Sequence, residues 1–523
     1  MEALADKRRR VMALLLAAAA ICALLLALPG VTVTTSYLND LFIFLDGAHR
    51  IASGQVPGRD FHTALGPLSF YIPAIGYWLS GTMGGAMPYG MAITTFVFAL
   101  PMAHALSSRT RPLIAVPYGI FLLLVVAVPM NLGESITELS FAMFYNRIGW
   151  ASLGALLVMY LQPSRPRRWQ GSLDAACAAA LVLIMLYTKI TYGVVALAFV
   201  AFLLLDRRQR PWAAASIGLI LASSVVIEAF WQSSVAHFDD LRLTSQVSGS
   251  RSLPDLMVAF LNNLFDYTLF AIVVCPVLWR TRSLRDLTFF GFCSLPGLLV
   301  QSQNAQSWGI LTIHAGIVVA TEMLLRLERA RFPQAWRASP ISTGAVLLSA
   351  VVVLPALIHC LLALGFHTAL GIARSGRAIE MAQFRDIRLI SPWLSGERTL
   401  MHTYLESIEA GARALESLAV KPDKVSVLDF SNPFSAGLNL PPPRGDNAWL
   451  HWGRNIGETH FIPPDQLFTD VHMLMVPKWG INPTPLLELY RVYLEDAFEP
   501  LQETEGWVIY RRKERKVATK APL

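Results

Sequence analysis

The sequence SYLNDLFIFLDGAHRIASGQVPGRDFHTALGPLSFY, residues 36–71, is the first polar stretch after an apolar N-terminal run. Apolar residues recur at helical spacing within it, and they predict an amphipathic helix of about four turns lying along a membrane surface: Leu41, Phe44, Leu45, Ala48, Ile51 and Ala52. Gly54 and the Pro57-Gly58 pair predict the end of this helix and a turn. Because acids and bases crowd into a loop between apolar segments, we interpret the loop as an active site held against a bilayer.

The composition is that of a polytopic membrane protein. Of the 523 residues 54% are hydrophobic and 15% are charged, whereas soluble proteins carry about 25% charged residues. The net charge of +7 arises in residues 1–364, which hold 25 Lys and Arg against 17 Asp and Glu, while residues 365–523 hold 18 against 19. The excess therefore encodes membrane topology and does not indicate nucleic-acid binding. The five cysteines all lie in apolar runs and show no metal-ligand spacing.

Apolar segments predict about eleven transmembrane helices, at residues 11–28, 86–106, 113–130, 144–161, 173–188, 190–205, 212–234, 256–279, 287–301, 309–325 and 343–364. Basic clusters occupy alternate connections: Lys7–Arg10, Arg109/Arg111, Arg165/Arg167/Arg168, Arg207/Arg208/Arg210, Arg280/Arg282/Arg285 and Arg326/Arg329/Arg331/Arg337. The opposite side holds Arg50, Arg59, Arg147, Lys189, Arg242 and Arg251. By the positive-inside rule the N-terminus is cytoplasmic, and the first loop (29–85) lies outside. This alternation of the connections between the two sides requires that residues 68–78 lie in the membrane interface and do not cross the bilayer.

From about residue 365 the composition becomes that of a soluble domain. An amphipathic helix is predicted at 397–418, buried strands at 424–430 and 471–477, a second helix at 483–498 and a closing strand at 506–511. This alternation predicts a small extracytoplasmic α/β domain, 365–523, following the membrane domain, 1–364.

Three acids of the first loop are candidates for chemistry. Asp40 is a candidate general base for an acceptor hydroxyl or amine, and the alternative is a helix N-cap. Asp46 and Arg50 stand four apart, the spacing of a simple helix pair. Asp60 follows Arg59 in a turn, where Asx-turn chemistry is the usual reason for an Asp.

The later outer connections add candidates for substrate binding. Glu134 and Glu138 lie in one connection, and Arg147 begins the next span. Lys189 separates two apolar runs at the outer face, where cations are disfavoured. Arg147 and Lys189 are candidates for binding a lipid-linked phosphate, and the equally weighted alternative is snorkelling to lipid headgroups. Asp239 and Asp240 are candidates for a sugar site, although polar loops between spans are expected in any case.

Several motifs give the chain a resemblance to the GT-C superfamily of integral-membrane glycosyltransferases, most of all to the protein O-mannosyltransferase and lipid A aminoarabinose transferase group. They are Asn39-Asp40, Gly54, the Val56–Asp60 segment, the Gly66–Tyr71 segment and the Tyr187–Gly193 turn with its lysine. The resemblance covers roughly residues 10–330 and leaves the C-terminal region without an assigned activity.

The resemblance implies an inverting transferase that takes a sugar from a polyprenyl-phosphate donor to a lipid, glycan or protein acceptor. It implies that Asp40 is the catalytic base and that it lies on the periplasmic face of a bacterial inner membrane. The first acid of the family's pair falls on Asn39 here, so Asp46 and Glu134 remain alternatives for the base. Some members require a divalent cation and others do not, and the sequence leaves both open.

Two other classes of function remain. A transporter or flippase of a lipid-linked sugar would need alternating access, usually with internal repeats, and no repeat is visible. A non-catalytic scaffold would leave the acids of the first loop without a role. The sequence has no P-loop, H-E-x-x-H, Rossmann glycine or G-x-S-x-G motif, so ATP-driven pumping and zinc proteolysis are unsupported.

Overall fold

The computed structural model describes residues 2–164, 168–249, 252–303, 306, 308–331, 339–391 and 396–514. Its first part runs through helices α1 (Glu2–Ala27), α2 (Leu38–Ala52), α3 (Leu68–Ser80), α4 (Met83–Arg109), α5 (Pro112–Ala127), α6 (Phe144–Leu157), α7 (Gln170–Thr188), α8 (Ile190–Leu203), α9 (Arg210–Trp231), α10 (Ser234–Ser248), α11 (Leu253–Asn262), α12 (Leu264–Thr281), α13 (Leu284–Ser302), α14 (Leu311–Arg331) and α15 (Pro340–Ile372). Of the residues used to assign topology, Arg165, Arg167, Arg251 and Arg337 lie outside the described residues.

Six of the described helices are long and apolar enough to cross a membrane: α1, α4, α7, α9, α12 and α15. Three shorter helices, α5, α8 and α11, are also apolar. The protein is therefore an integral membrane protein. Every predicted apolar segment is helical, but eleven spans are not confirmed, because the remaining helices are too short or too polar by the same measure.

The segment predicted as a single span at 256–279 is divided in two. Asn263 separates α11 from α12, and its buried side-chain amide donates to the Ala259 carbonyl at 2.8 Å and to Gln301 Oε1 at 2.9 Å. A side chain that bonds nearby backbone in this way competes with helix continuation. The prediction of one continuous helix is wrong at this residue.

The predicted interfacial segment 68–78 forms α3, a helix of 13 residues. A spanning helix usually needs about 20 residues, so α3 is too short to cross a bilayer unaided. It packs on α4 backbone to backbone, since a Cβ on Gly76 would lie 1.9 Å from the Ala86 carbonyl oxygen.

A short sheet joins the first loop to the chain that follows α15. Strand β1 (Thr32–Thr34) pairs in parallel with β3 (Ile387–Leu389), which pairs antiparallel with β2 (Arg377–Ala378). Strands of two or three residues show no alternation in sequence, and none of these was predicted. The pairing fixes the end of the membrane part against the start of the first loop.

The C-terminal region contains a second sheet, of order β4-β5-β7-β6, with helices beside it. Its elements are α16 (Gly396–Glu416), β4 (Val425–Val427), α17 (Phe434–Gly437), α18 (Pro464–Leu467), β5 (Met473–Pro477), α19 (Pro483–Ala497), β6 (Phe498–Glu503) and β7 (Trp507–Arg512). Strand β6 was not predicted, because Phe498 was assigned to the preceding helix. The indole of Trp507 packs on Phe434, with ring centroids 5.2 Å apart, and donates to the Ser407 carbonyl.

Helix α2 is buried on all sides instead of presenting a polar face to water. Every residue from Leu41 to Ile51 is buried, including Asp46, His49 and Arg50. The predicted helix of about four turns is confirmed, and it ends just before Gly54. Its polar face is not uncovered as expected, because the segment 440–446 covers it.

An ion triad holds that cover in place. The Arg50 guanidinium donates to Asp46 Oδ2 at 2.6 Å, to Asp446 Oδ2 at 2.8 Å and to the Pro443 carbonyl at 2.7 Å. The exposed fractions of the Arg50, Asp46 and Asp446 side chains are 0%, 0% and 3%. The triad therefore fixes the C-terminal region on α2.

Replacing Arg50 by Gln is expected to destabilise the protein by about 3–5 kcal/mol, because two buried carboxylates then lack a cation. Thermal unfolding of the purified protein in detergent measures the change. The matched control is Arg59→Gln, whose side chain is 44% exposed beside Asp60 and whose loss should cost less than about 1 kcal/mol. Equal shifts for the two variants would contradict the role given to the triad.

Candidate active site

Asp40 lies in the first turn of α2. The helix begins at Leu38 and Tyr37 is its N-cap, so the alternative reading of Asp40 as N-cap is wrong. Among the described residues no side chain donates a hydrogen bond to the Asp40 carboxylate. Burial raises the pKa of Asp40 to about 7, against the opposing effect of Arg454, and Glu134 raises it further. Asp40 is therefore a carboxylate with a proton affinity suited to a general base at neutral pH.

Glu134, an alternative candidate for the base, is already engaged. Its Oε1 accepts hydrogen bonds from the Tyr37 hydroxyl at 2.7 Å and from the Asn131 amide at 3.3 Å. Burial raises the pKa of Glu134, and the two hydrogen bonds oppose that effect. Asp40 lacks such partners, so it is the better placed of the two for proton transfer.

Lys189 lies at the break between α7 and α8, as the sequence predicted. The Gly66-Pro67 segment of the first loop packs on this break: the Gly66 amide donates to the Thr188 carbonyl at 3.1 Å. A Cβ at Gly66 would lie 2.2 Å from the Tyr187 carbonyl oxygen, so only glycine permits this approach. The first loop thereby positions the turn that carries Lys189.

The Lys189 ammonium points toward the start of α6. Its Nζ donates to Asn146 Oδ1 at 3.0 Å and lies 5.2 Å from the centre of the Tyr145 ring. Burial lowers the pKa of Lys189 to about 7, and the positive charge of Arg454 contributes to the lowering. A ligand with negative charge would restore the protonated form.

Arg454 joins these groups and was not identified from the sequence. It follows Gly453, whose φ of +74° makes a tight turn, and its guanidinium lies 5.5 Å from the centre of the Trp449 ring. It is within electrostatic range of both Asp40 and Lys189. The signal that was available is an arginine among aromatic residues in a polar turn. The candidate site is therefore built from the first loop, the α7–α8 break and the C-terminal region.

Asp46 and Arg50 do not reach this site, since both are enclosed in the ion triad. Asp60 closes its own turn: Oδ2 accepts from the Val56 amide at 2.8 Å, and Arg444 lies 3.4 Å from Oδ1. These three side chains organise the first loop and its cover.

The remaining predicted residues are divided between structural roles and exposed surface. Asp240 accepts from His62 and from the Thr63 amide, both at 2.8 Å, and so ties α10 to the first loop, whereas Asp239 is exposed. Glu138 is half-buried and lies within electrostatic range of Glu134.

Arg147 lies within electrostatic range of Glu134, and its guanidinium donates to the Ala142 carbonyl at 3.2 Å. Its side chain is 1% exposed, and two of its nitrogens, Nε and one Nη, have no partner among the described residues. The adjoining cavity has a volume of about 10 Å³, room for one water molecule and too little for a phosphate group. The positive charge of Arg147 lowers the pKa of Glu134. Binding of a donor phosphate by Arg147 is not supported by this geometry.

Metal-binding side chains do not converge in the part of the chain that the structure describes. No group of three or more His, Cys, Asp or Glu residues there has the arrangement of a metal site.

No family model matches the chain, and no curated protein matches its sequence. Solved structures similar to this chain include the crystal structure of ArnT from Cupriavidus metallidurans in the apo state, over 94% of this chain and 96% of that chain, with 13% identity and a TM-score of 0.47. They also include the cryo-EM structure of the arabinofuranosyltransferase AftD from Mycobacteria, over 97% of this chain and 40% of that chain, with 13% identity and a TM-score of 0.39.

Proposed function

We propose that the protein is a membrane glycosyltransferase that moves a sugar from a polyprenyl-phosphate donor to a lipid, glycan or protein acceptor on the outer face of the membrane. The supporting observation is that Arg454 lies within electrostatic range both of the buried Asp40 carboxylate and of the Lys189 ammonium. A carboxylate can take the proton of an acceptor, and ammonium and guanidinium groups can hold a departing phosphate. Our proposal places the N-terminus in the cytoplasm and the C-terminal region in the periplasm.

In the proposed reaction Asp40 accepts the proton of the acceptor hydroxyl as its oxygen attacks the anomeric carbon. The bond between that carbon and the phosphate oxygen breaks, and the electron pair leaves with the phosphate. Attack from the side opposite the leaving group inverts the anomeric carbon. With its pKa raised to about 7, Asp40 is a stronger base than an ordinary carboxylate and is still ionised in half of the molecules at neutral pH.

Lys189 and Arg454 are the proposed ligands of the donor phosphate. In the free protein burial and mutual repulsion lower the pKa of Lys189 to about 7. A phosphate bound between the two cations would remove this repulsion and keep Lys189 protonated. The phosphate charge left at the end of the transfer is then held by groups already in place, which is the most effective form of electrostatic catalysis.

Replacing Asp40 by Asn is expected to lower transfer by about 10²–10⁴-fold, because the amide cannot accept the proton. The measurement is the release of undecaprenyl phosphate from a set of synthetic undecaprenyl-phosphate pentoses and hexoses, with protein reconstituted in liposomes. The matched control is Asp239→Asn, an exposed residue of α10 that keeps full activity.

The same Asp40→Asn variant is expected to be more stable than the wild type. Since burial raises the pKa of Asp40, ionising it opposes folding, and this cost grows as the pH rises from about 4 toward 7. Its unfolding temperature in detergent should therefore exceed that of the wild type clearly at pH 8 and only slightly at pH 5. A variant that is active and less stable would refute the proposed base.

The dependence of kcat/KM on pH is expected to be a narrow bell centred near pH 7. Below about 7 Asp40 is protonated and cannot act as a base, and above about 7 Lys189 loses the charge that binds phosphate. The alkaline limb of kcat should lie at higher pH, because bound phosphate keeps Lys189 protonated.

Arg454→Gln tests the assignment of the acid limb to Asp40 and of the alkaline limb to Lys189. Loss of its positive charge raises the pKa of Asp40 and also that of Lys189, so both limbs of the bell should move to higher pH. The control is Arg491→Gln, an exposed arginine of α19. If the two limbs of the pH profile stay at their wild-type positions in Arg454→Gln, Arg454 is not part of the site.

A further inference from the structure

A second cavity, of about 380 Å³, lies between the end of α2 and the C-terminal region. Its polar lining includes His49, Gln55, Lys424, Arg444 and Asp470. Pockets for small ligands have volumes of about 300–1,000 Å³, so this cavity is large enough for a ligand of one or two rings.

This cavity is separate from the Asp40 site. Asp40 lies in the first turn of α2 and His49 in its last turn, and nine helical residues span about 13 Å. Asp46 lies between them in α2 and is enclosed by its contact with Arg50, which in turn binds Asp446 and the Pro443 carbonyl of the covering segment. A ligand in the cavity therefore cannot be the group that reacts at Asp40.

Gln55 carries an acceptor that is closed to the cavity. Its amide nitrogen donates to the Pro442 carbonyl at 2.8 Å, which fixes the orientation of the side chain in the cavity wall. Its Oε1 accepts no hydrogen bond from the described residues, but it is fully enclosed, so a ligand in the cavity does not reach it.

His49 supplies an acceptor. Its Nε2 lies 2.8 Å from the Leu440 carbonyl oxygen, and since a carbonyl can only accept, Nε2 must carry the proton. Burial lowers the pKa of His49, so the ring is neutral and Nδ1 keeps a lone pair.

The charges of the lining are balanced within the protein. Lys424 Nζ lies 2.6 Å from Asp470 Oδ1, and the Arg444 amide donates to Asp470 Oδ2 at 3.1 Å. An anion would meet the Asp470 carboxylate as well as the two cations. Hydroxyl groups both donate and accept, so a lining that mixes donors with acceptors suits them better than it suits an anion.

We propose that this cavity binds a neutral carbohydrate, one or two sugar rings in size, through His49 as acceptor and Lys424 and Arg444 as donors. Identifying this carbohydrate as the distal part of an acceptor glycan rests on the proposed function. The binding site itself does not, because its ligand makes no contact with Asp40.

The experiment is binding of the full-length protein, in lipid nanodiscs and without a donor lipid, to a printed array of neutral oligosaccharides. The blocking variant is Ser53→Trp, since Ser53 is exposed at the rim of the cavity and its side chain makes no buried contact. The matched control is Ser417→Trp, an exposed serine that follows α16 as Ser53 follows α2.

We expect the wild type, the Ser417→Trp control and Asp40→Asn to bind the same glycans, and Ser53→Trp to lose at least tenfold in affinity. The unfolding temperature checks that Ser53→Trp is folded. Absence of any bound glycan, unchanged binding by Ser53→Trp, or displacement of the glycan by inorganic phosphate would overturn the proposal. A transfer-inactive wild type that binds glycans would refute the proposed function alone.

Discussion

The contact of Arg50 with Asp46 and Asp446 determines the relation between the two ends of the chain. In the sequence Asp446 lies 396 residues from Arg50, whereas Asp46 lies four residues from it. The pairing is costly to assemble, since three charges leave water, but once formed it is costly to break, because either partner alone would be a buried uncompensated charge. Ser426 completes it by donating to Asp446 Oδ1 at 3.0 Å. The position of the C-terminal region over α2, and with it that of Arg454, follows from this contact.

Burial has opposite consequences for the acid and the amine of the site, and these bring the two groups to the same pH. Leaving water disfavours either charge, which raises the pKa of Asp40 and lowers that of Lys189, each to about 7. Arg454 then favours the charged form of Asp40 and disfavours that of Lys189. One cation therefore lowers the pKa of both groups. In the proposed reaction it would tune the base and the phosphate ligand together.

The sequence predicted what depends on local pattern and missed what depends on contacts between distant residues. Hydropathy located the helices because an apolar run is a property of neighbouring residues, and the polar Lys189 marked the α7–α8 break. The break at Asn263 was missed, because it depends on a bond to Gln301 on another helix. The same is true of α2: its pattern predicted a polar surface, and only the distant 440–446 segment explains why that surface is buried.

The residues that the C-terminal region contributes lie far in sequence from the first loop, so local sequence pattern could not assign them to the site. The sequence resemblance on which the site was predicted covers roughly residues 10–330, yet Arg454, Asp446 and much of the second cavity come from beyond that point. If the first loop supplies the base and the α7–α8 break a phosphate ligand, as we propose, the reaction itself needs little more than one further cation. The second cavity has another chemical character, with a neutral imidazole placed for hydroxyl groups and with charges neutralised within the protein. In our proposals chemistry and recognition are then divided along α2, with the reacting group at its first turn and the carbohydrate at its last, where the ion triad fixes the covering segment that forms the cavity wall.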